Sequence, residues 1–370
     1  MDIPGGCAFV PSPLPPAFEP SWNLATLLAR ARGALGELLG QARLVANDRL
    51  VIAPLLTRDA VDSNRIEGTH TLIEDVLLQR QARLPLDPIR RDLNLEVLKY
   101  VHALEVGTQA IHDGQPLSLF FLRALHRALI EGTRGGHRRP GQLREVLVAI
   151  GRDGQGPGEA AFVPPPPEHV VPALEQLVDF VSREEQFGPL VTGALLHYQF
   201  ETIHPFEDGN GRLGRLLIPL HLLAVGAIDR PVVYLSSYFE EHRDEYTSRL
   251  KRVSTAGDWA GWVEFYLRAF EASCLDARGR VTKVLELHRG YRERAAAASK
   301  GKLALLAVDR VMEEIYVTAP GLATALGGRT YKAARAALDV LSEVGVVRPV
   351  PDSYPQLWVA QELLDLVYKD

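Results

Sequence analysis

The stretch His204–Arg215, which reads HPFEDGNGRLGR, joins two apolar segments of helical periodicity. The segment before it, FGPLVTGALLHYQFETI at residues 187–203, carries apolar residues at helical spacing. The segment after it, GRLGRLLIPLHLL, resumes the same period. Gly209 and Gly211 interrupt the pattern, because a glycine inside a helix loses extra backbone entropy. The pattern therefore predicts helix, loop and helix, with a loop dense in charged and polar groups.

The start of the second helix favours binding of an anion. A glycine turn lets successive backbone N–H groups point at one anion, and a helix N-terminus adds partial positive charge. Arg212 and Arg215 are three residues apart, so they share a helix face and both can pair with phosphate oxygens. Asp208 adds a carboxylate suited to Mg²⁺ bound on phosphates, and His204 adds a proton acceptor. The loop predicts a magnesium–nucleotide phosphate site with a base beside it.

These twelve residues resemble the signature of the Fic family, His-Pro-Phe-x-Asp/Glu-Gly-Asn-Gly-Arg-x-x-Arg, at every fixed position. A lone glycine turn before a helix is more often a plain cap, but an ordered run of twelve is much harder to explain that way. The resemblance implies a mainly helical core that transfers AMP from ATP to a hydroxyl side chain of a target protein. Doc-type members, which phosphorylate instead, carry lysine where this chain has Gly211, so Gly211 favours adenylylation.

The same resemblance implies a role for each matching residue. His204 would be the general base, and Asp208 would hold Mg²⁺. Arg212 would contact the β-phosphate and Arg215 the γ-phosphate region. The full set of nucleotide-binding residues that it implies is Gly209, Asn210, Gly211, Arg212 and Arg215.

A second motif, SNRIEGT at Ser63–Thr69, lies far upstream. Ser63 and Glu67 are four residues apart and share a face on a helix, where such a pair is usually solvated. The motif nevertheless resembles the inhibitory motif of Fic proteins, Ser/Thr-x-x-x-Glu-Gly/Asn. That resemblance implies that Glu67 pairs with Arg215 and blocks the γ-phosphate, so we expect a self-inhibited protein. Because the glutamate is linked to AMP removal in some relatives, deAMPylation by Glu67 and water is an alternative.

Between the two motifs, Arg144–Pro164 has the pattern of a strand, a glycine-rich loop and a short returning strand. It matches in position the flap hairpin of the family. We expect an extended segment of the target protein to dock there by strand addition. An ordinary β-hairpin without a docking role is the alternative interpretation.

The tail has the order helix, turn, helix and β-hairpin, which is typical of a winged helix-turn-helix. Arg329, Lys332 and Arg335 give its second helix some positive charge, but a DNA-binding face usually neutralises about six to ten phosphates. A protein-interaction or dimerisation role is therefore favoured over DNA binding. The rival function from another class is a DNA-binding regulator whose Fic core senses nucleotide without turning it over.

The predicted fold class is mainly α: a Fic helical bundle with a small β-hairpin flap and a C-terminal winged helix-turn-helix. We predict three parts along the chain. They are an N-terminal arm and helical region with the inhibitory helix at 1–90, a Fic catalytic core at 91–294, and a winged-helix domain at 303–370.

The composition is that of an ordinary globular protein, with 370 residues, 46% hydrophobic, 24% charged and a net charge of −5. The two cysteines, Cys7 and Cys274, exclude a disulfide scaffold and a zinc site built from cysteines. The longest apolar run, Leu216–Ile228, is too short for a bilayer, and the first residues lack signal-peptide features. We expect a cytoplasmic protein with no membrane partner, and a homodimer remains open.

Overall fold

The computed structural model describes residues 1–3, 6–19, 21–44, 49–81, 87–151, 158–183, 187–298 and 301–368. Within these ranges the protein is mainly helical, as predicted, and its strands are short and antiparallel. The α-helices are α1 (Trp22–Ala42), α2 (Arg49–Ile66), α3 (Ile73–Gln81), α4 (Pro88–His112), α5 (Leu119–Ile130), α6 (Val170–Arg183), α7 (Gly188–Ile203), α8 (Asn210–Ala224), α9 (Ser236–Glu241), α10 (Arg243–Ala256), α11 (Trp259–Ala298), α12 (Lys302–Glu314), α13 (Ala319–Ala325), α14 (Tyr331–Glu343) and α15 (Gln361–Tyr368). The strands are β1 (Asp2–Ile3), β2 (Gly6–Cys7), β3 (Tyr316–Thr318), β4 (Arg348–Pro349) and β5 (Leu357–Val359).

The chain forms two compact units, each assembled from separate stretches of sequence. The first unit contains Met1–Leu35, Asp62–Thr69 and Glu96–Cys274, and the second contains Gly36–Val61, His70–Leu95 and Leu275–Asp370. Among the described residues, no helix is both long enough and apolar enough to cross a membrane.

The helices α7 and α8 lie at the centre of the first unit and pack against each other. From Leu190 to Ile203, every residue of α7 except Glu201 is buried, and residues 212–223 of α8 are buried as well. Helices that are apolar on all faces are found in protein interiors, which explains this placement. The loop between α7 and α8 is therefore held at both ends by buried helices.

The flap is less regular than the sequence pattern predicted. Its two arms meet at one antiparallel bridge, where Ile150 N–H donates to Phe162 C=O at 2.8 Å and Phe162 N–H donates to Ile150 C=O at 3.1 Å. Residues 152–157, which include part of the predicted glycine-rich loop, lie outside the described residues. Prolines 164–167 limit the pairing, because proline has no N–H to donate.

In the second unit, the residues after 301 form helices and a small sheet. The strand order is β3-β5-β4 with antiparallel pairing, and Trp358 is paired with Val317 on one side and Pro349 on the other. The predicted helices and hairpin are present, whereas β3 and α15 are additions. The winged-helix assignment itself stays a prediction. A three-residue strand such as β3 is too short to show a period in the sequence.

The helix α2 contains a proline. Proline is best tolerated in the first turn of a helix, but α2 starts at Arg49 and places Pro54 in its second turn. A proline in the second turn removes one backbone hydrogen bond, and here the helix continues through it. The helix ends at Ile66, and Gly68 follows with a φ of 81°, which suits a C-cap glycine.

Candidate active site

The loop between α7 and α8 turns sharply at each end. His204 ends α7 with a φ of 49°, and its N–H donates to Phe200 C=O at 3.0 Å. Gly209 has a φ of 77° directly before α8. Both are left-handed conformations, which glycine adopts freely and histidine tolerates better than most residues. The two turns set the direction of the chain between α7 and α8.

The side chain of Asn210 closes this loop. It is buried and accepts from Phe206 N–H at 2.9 Å while donating to Phe206 C=O at 2.8 Å. An amide has both a donor and an acceptor, so asparagine can satisfy both backbone groups at once. The structure therefore uses the Asn210 side chain to hold the loop, and its backbone N–H belongs to the first turn of α8.

A histidine that the sequence analysis did not single out supports the same loop. The ring of His126 on α5 stacks on Phe206 at 3.7 Å between ring centres. Its Nδ1 accepts from Gly141 N–H at 2.9 Å, so the hydrogen lies on Nε2, which donates to Asp208 C=O at 2.9 Å. Burial lowers the pKa of His126 to about 4, which keeps the ring neutral in this tautomer.

Arg144 ties the flap to the end of α7. Its side chain is buried and donates to the carbonyl oxygens of His204 at 2.7 Å, Ile203 at 3.3 Å and Pro165 at 2.5 Å. Burial lowers the pKa of Arg144 to about 10, so the guanidinium stays charged at neutral pH. A cation stabilises the free carbonyl groups at a helix C-terminus. Arg144 thus fixes the backbone of the candidate base.

The imidazole of His204 is oriented to accept a proton at Nε2. Its Nδ1 lies 3.3 Å from Glu201 C=O, and a carbonyl can only accept, so the hydrogen is on Nδ1. Burial lowers the pKa of His204 to about 4, although the Glu201 carbonyl and the charge of Glu67 act to raise it. The ring is therefore neutral at pH 7, which is the form that a general base needs.

The motif at Ser63–Thr69 ends α2 in a Schellman turn. Thr69 N–H donates to Asn64 C=O at 2.9 Å, and Gly68 N–H donates to Arg65 C=O at 2.8 Å. This pair of bonds fixes the chain on either side of Glu67. The backbone of Glu67 is thus fixed by the helix end.

Glu67 and Ser63 both contact Arg215, and for Glu67 this is the contact that the family resemblance implied. The Arg215 guanidinium donates to Glu67 Oε1 at 2.7 Å, to Ser63 Oγ at 2.8 Å and to Ser63 C=O at 2.9 Å. The Arg215 side chain is 2% exposed, and that of Glu67 is 39% exposed. Burial alone would raise the pKa of Glu67, but the charge and hydrogen bond of Arg215 outweigh it and hold that pKa below its usual value.

The Glu67 carboxylate also lies against the first turn of α8. A Cβ atom added at Gly211 would overlap Glu67 Oε1. The carboxylate therefore lies directly against the backbone of Gly211, in the first turn of α8. That is the position where the partial positive charge of a helix favours an anion.

Arg212 is buried and is already engaged with acceptors of the protein. Its guanidinium lies 3.4 Å from Asn64 Oδ1, 3.4 Å from Glu96 Oε2 and 3.3 Å from Asp208 Oδ1. Glu96 on α4, which the sequence analysis missed, also accepts from Arg134 at 2.7 Å. No local pattern marks Glu96, because its partners come from distant parts of the chain.

Asp208 has the chemical properties expected of the predicted Mg²⁺ ligand. Its Oδ1 accepts from Gly209 N–H at 2.6 Å, its side chain is 40% exposed, and Oδ2 lies over Gly135. Among the described residues, no cluster of three or more metal-ligating side chains exists. Mg²⁺ in nucleotide sites is commonly held by one or two carboxylates together with phosphate oxygens and water. A single half-exposed carboxylate beside a phosphate site is consistent with that coordination.

The neutral histidines predict that the protein loses stability in acid. Burial lowers the pKa of His126 to about 4 and of His197 to about 3, whereas an unfolded histidine titrates near 6.5. Between these pH values the unfolded chain binds more protons than the folded protein. Each histidine therefore lowers the free energy of unfolding by about 1.4 kcal/mol per pH unit as the pH falls below 6.5. Glu201, whose pKa burial raises to about 8, acts in the opposite direction.

Burial also lowers the pKa of His204. We expect the three histidines together to cost more free energy of unfolding in acid than Glu201 adds. The urea midpoint of unfolding should therefore fall between pH 7 and pH 5. A midpoint that stays constant or rises over that range would contradict the neutral assignment.

Comparisons with known proteins identify the family of this chain. Residues 116–222 match the Fic/DOC family model, and residues 25–109 match the model of the Fic/DOC family N-terminal region. Protein adenylyltransferase fic-1 of Caenorhabditis elegans is 34% identical over 135 residues, which is 36% of this chain and 23% of that protein. Protein adenylyltransferase Fic of Nematostella vectensis is 28% identical over 240 residues, which is 62% of this chain and 51% of that protein.

The chain thus spans between 23% and 51% of the length of these two relatives. A solved Fic family protein from Desulfovibrio desulfuricans G20 has 21% identity and a TM-score of 0.60, with 94% of this chain and 98% of that chain covered. This likeness shows a shared fold over nearly the whole length. The two family models together match somewhat more than half of the residues and place the chain in the Fic/DOC family.

Proposed function

We propose that this protein transfers AMP from ATP to a hydroxyl side chain of a target protein and that Glu67 restrains the transfer. The observation that carries the proposal is the Glu67 carboxylate, bound by Arg215 and resting on Gly211 at the N-terminus of α8. An anion held by a guanidinium and a helix N-terminus mimics a phosphate group. The names of the curated relatives, protein adenylyltransferases, support the identity of the transferred group.

In the proposed reaction, His204 Nε2 takes the proton of the target hydroxyl. The hydroxyl oxygen attacks the α-phosphorus of ATP, a new P–O bond forms, the bond to the bridging oxygen of the β-phosphate breaks, and pyrophosphate leaves. Arg212, Arg215 and the amides of the first turn of α8 bind the β- and γ-phosphates and stabilise the charge of the leaving group. Mg²⁺, when bound at Asp208, supplies further neutralisation of phosphate charge.

Glu67 opposes this reaction in two ways. It occupies the Arg215 donor that the γ-phosphate needs, and it adds negative charge where that phosphate should bind. Nucleotide bound alongside Glu67 is expected to present its α-phosphate out of line with the attacking hydroxyl. Since the side chain is 39% exposed, it has solvent beside it into which it can move.

The deAMPylase alternative rests on the same carboxylate. The charge of Glu67 acts on His204, so an acid and an imidazole face one site. Such a pair can orient and deprotonate a water molecule. Loss of AMP from a premodified protein in the presence of wild type, but not of Glu67→Gly, would favour this role.

The function is tested by mass spectrometry of the Glu67→Gly protein after incubation with ATP and Mg²⁺. We expect one AMP group, or more, added to the protein itself or to an added protein target, and no addition in the Glu67→Gly/His204→Ala protein. Bound nucleotide without transfer would overturn the enzyme proposal and favour the nucleotide-sensing regulator.

Asp208→Asn provides a test of the metal role that does not depend on the target. Loss of the carboxylate charge should raise the Mg²⁺ concentration needed for tight ATP binding by at least about tenfold. The measurement is an ATP titration of the Glu67→Gly protein at several Mg²⁺ concentrations. Glu207→Gln is the matched control, because Glu207 adjoins Asp208 and has no assigned role. An unchanged Mg²⁺ dependence in Asp208→Asn would remove Asp208 from the metal site.

We propose that the target docks at the flap, Arg144–Pro164. Val146 and Ile150 in its first arm are 52% and 37% exposed, and Arg144 at the start of that arm binds the His204 carbonyl. This exposed arm is fixed to the loop that carries His204. An extended segment of the target protein that pairs with the arm would therefore be presented to His204.

We further propose that the predicted domain at 303–370 is a winged helix-turn-helix with a protein-binding role. The order α12, β3, α13, α14 and the hairpin of β4 and β5 supports the assignment. On α14, Arg335 pairs with Asp339 at 2.9 Å and lies 4.7 Å from the centre of the Trp358 ring. Because this arginine is engaged within the unit, the case for DNA binding weakens.

A further inference from the structure

The carboxylate of Glu96 on α4 binds the last residue of the SNRIEGT motif, Thr69. Its Oε2 accepts from Thr69 Oγ1 at 3.0 Å, and its Oε1 accepts from Arg134 Nε at 2.7 Å. The Arg134 guanidinium also donates to Thr69 Oγ1 at 3.2 Å, so the three side chains form a closed triangle of hydrogen bonds. We propose that these three are positioning residues, which hold the end of α2 and thereby keep Glu67 on Arg215.

The donors and acceptors of the triangle match one another. A threonine hydroxyl has one hydrogen to donate and lone pairs that accept, whereas a carboxylate accepts and a guanidinium donates. Thr69 therefore gives its hydrogen to Glu96 and accepts from Arg134. Valine has the shape of threonine but neither function, so the triangle depends on the hydroxyl group of this residue.

Burial makes the triangle costly to open on the side of Glu96. Thr69 and Glu96 are each 4% exposed, whereas the side chain of Arg134 is 52% exposed. A buried carboxylate without hydrogen-bond partners is strongly unfavourable, so Glu96 retains its donors. The triangle thus fixes the position of Thr69 against α4.

Thr69 passes this position on to Glu67 through the two peptide bonds between them. Its N–H donates to Asn64 C=O at 2.9 Å, and Gly68 completes the turn with a φ of 81°. The backbone of Glu67 is therefore held between α2 and the triangle. Without the triangle, the freedom of the adjacent glycine lets the end of α2 move and take Glu67 away from Arg215.

A second contact holds the same helix end and limits the expected effect. Arg243 on α10 donates to Ile66 C=O at 2.5 Å, and this bond does not involve the triangle. Loss of the Thr69 hydroxyl should therefore release Glu67 only in part. Its effect should be smaller than that of Glu67→Gly.

Thr69 is a better test residue than Glu96, because Glu96 also contacts the phosphate site. Its Oε2 lies 3.4 Å from the guanidinium of Arg212, which binds the β-phosphate in the proposed reaction. A change at Glu96 would alter nucleotide binding directly, with or without Glu67. Among the described residues Thr69 has no contact of this kind, so Thr69→Val isolates the triangle.

The test compares ATP with ADP in proteins with and without Glu67, since only ATP has the γ-phosphate that Glu67 excludes. In the otherwise wild-type protein, Thr69→Val should tighten ATP binding about fivefold, as expected for loss of one hydrogen bond, and change ADP binding less than about twofold. In the Glu67→Gly protein, the same change should alter neither affinity by more than about twofold. Calorimetric titration of each protein supplies the values.

Two variants serve as controls. Thr69→Ser retains the hydroxyl and should keep the ATP affinity of wild type. Thr57 on α2 is buried to the same extent as Thr69, but its hydroxyl donates to Ala53 C=O of its own helix at 2.8 Å. Thr57→Val should therefore change ATP affinity less than about twofold.

Arg134 supplies a second variant in case Thr69→Val folds poorly, because its side chain is half exposed. Arg134→Leu removes the guanidinium from the triangle and should tighten ATP binding, again only while Glu67 is present. Arg138→Leu, which changes an exposed arginine four residues further along the chain, is its control.

The inference rests on the proposed function, and the outcomes separate the two. If Glu67→Gly tightens ATP binding while Thr69→Val and Arg134→Leu do not, the inference is wrong and the restraint by Glu67 stands. Equal effects of Thr69→Val with and without Glu67, or on ATP and ADP alike, would show a purely structural role and overturn the inference. If Glu67→Gly itself changes neither ATP affinity nor AMP transfer, the restraint fails, and the inference fails with it.

Discussion

Replacement of His204 by alanine in the Glu67→Gly protein is expected to lower the rate of AMP transfer by about a thousandfold. The structure gives the reason, because Nδ1 is committed to the Glu201 carbonyl and Nε2 is the atom left to take a proton. The rate of label transfer from ATP to protein, measured at saturating ATP, provides the value.

ATP affinity serves as the control for the His204 variant. The arginines and the amides of α8 hold the phosphates in the proposal, so His204→Ala should change the dissociation constant of ATP less than about threefold. A variant that retains more than about a tenth of the transfer rate would remove His204 from the role of general base.

Glu67→Gly is expected to raise the transfer rate over wild type by about 10- to 100-fold at subsaturating ATP. The wild-type carboxylate must give up its contact with Arg215 before the γ-phosphate can take its place, and a hydrogen bond to a charged group is worth about 1.5–3 kcal/mol. Initial rates of label transfer, measured for both proteins at the same ATP concentration, test the prediction.

Glu67→Gln separates the effect of losing the negative charge from the effect of the added backbone flexibility of glycine. It keeps the shape of the side chain and removes the negative charge, so it should also activate, though less than Glu67→Gly. Wild-type protein as active as Glu67→Gly would show that the contact between Glu67 and Arg215 does not restrain the enzyme.

The helix, loop and helix that hold the candidate site could be predicted from sequence because their residues are close together in the chain. The two apolar segments around His204–Arg215 show the helical period clearly, and α7 and α8 form there. The contact between Glu67 and Arg215 joins residues 148 positions apart. Periodicity alone gives no reason for that contact, and the prediction depended on the resemblance of two motifs to one family.

The residues that were missed act through backbone groups or through distant partners. His126 looks like an ordinary residue of the amphipathic helix α5. Its hydrogen-bond partners, Gly141 and Asp208, lie 15 and 82 residues further along the chain. Arg144 reads as the start of a strand, and its acceptors are carbonyl oxygens that only the folded chain brings together. Glu96 is similar, because its arginine partners lie on other elements.

The most direct test of the account is a pair of incubations of the Glu67→Gly protein with ATP labelled on the α-phosphate or on the γ-phosphate. Transfer of AMP predicts protein-bound label from the α-labelled ATP alone, and its loss in the Glu67→Gly/His204→Ala protein. Label from the γ-phosphate would indicate phosphorylation and contradict the central claim, and absence of label from both would contradict transfer of any kind.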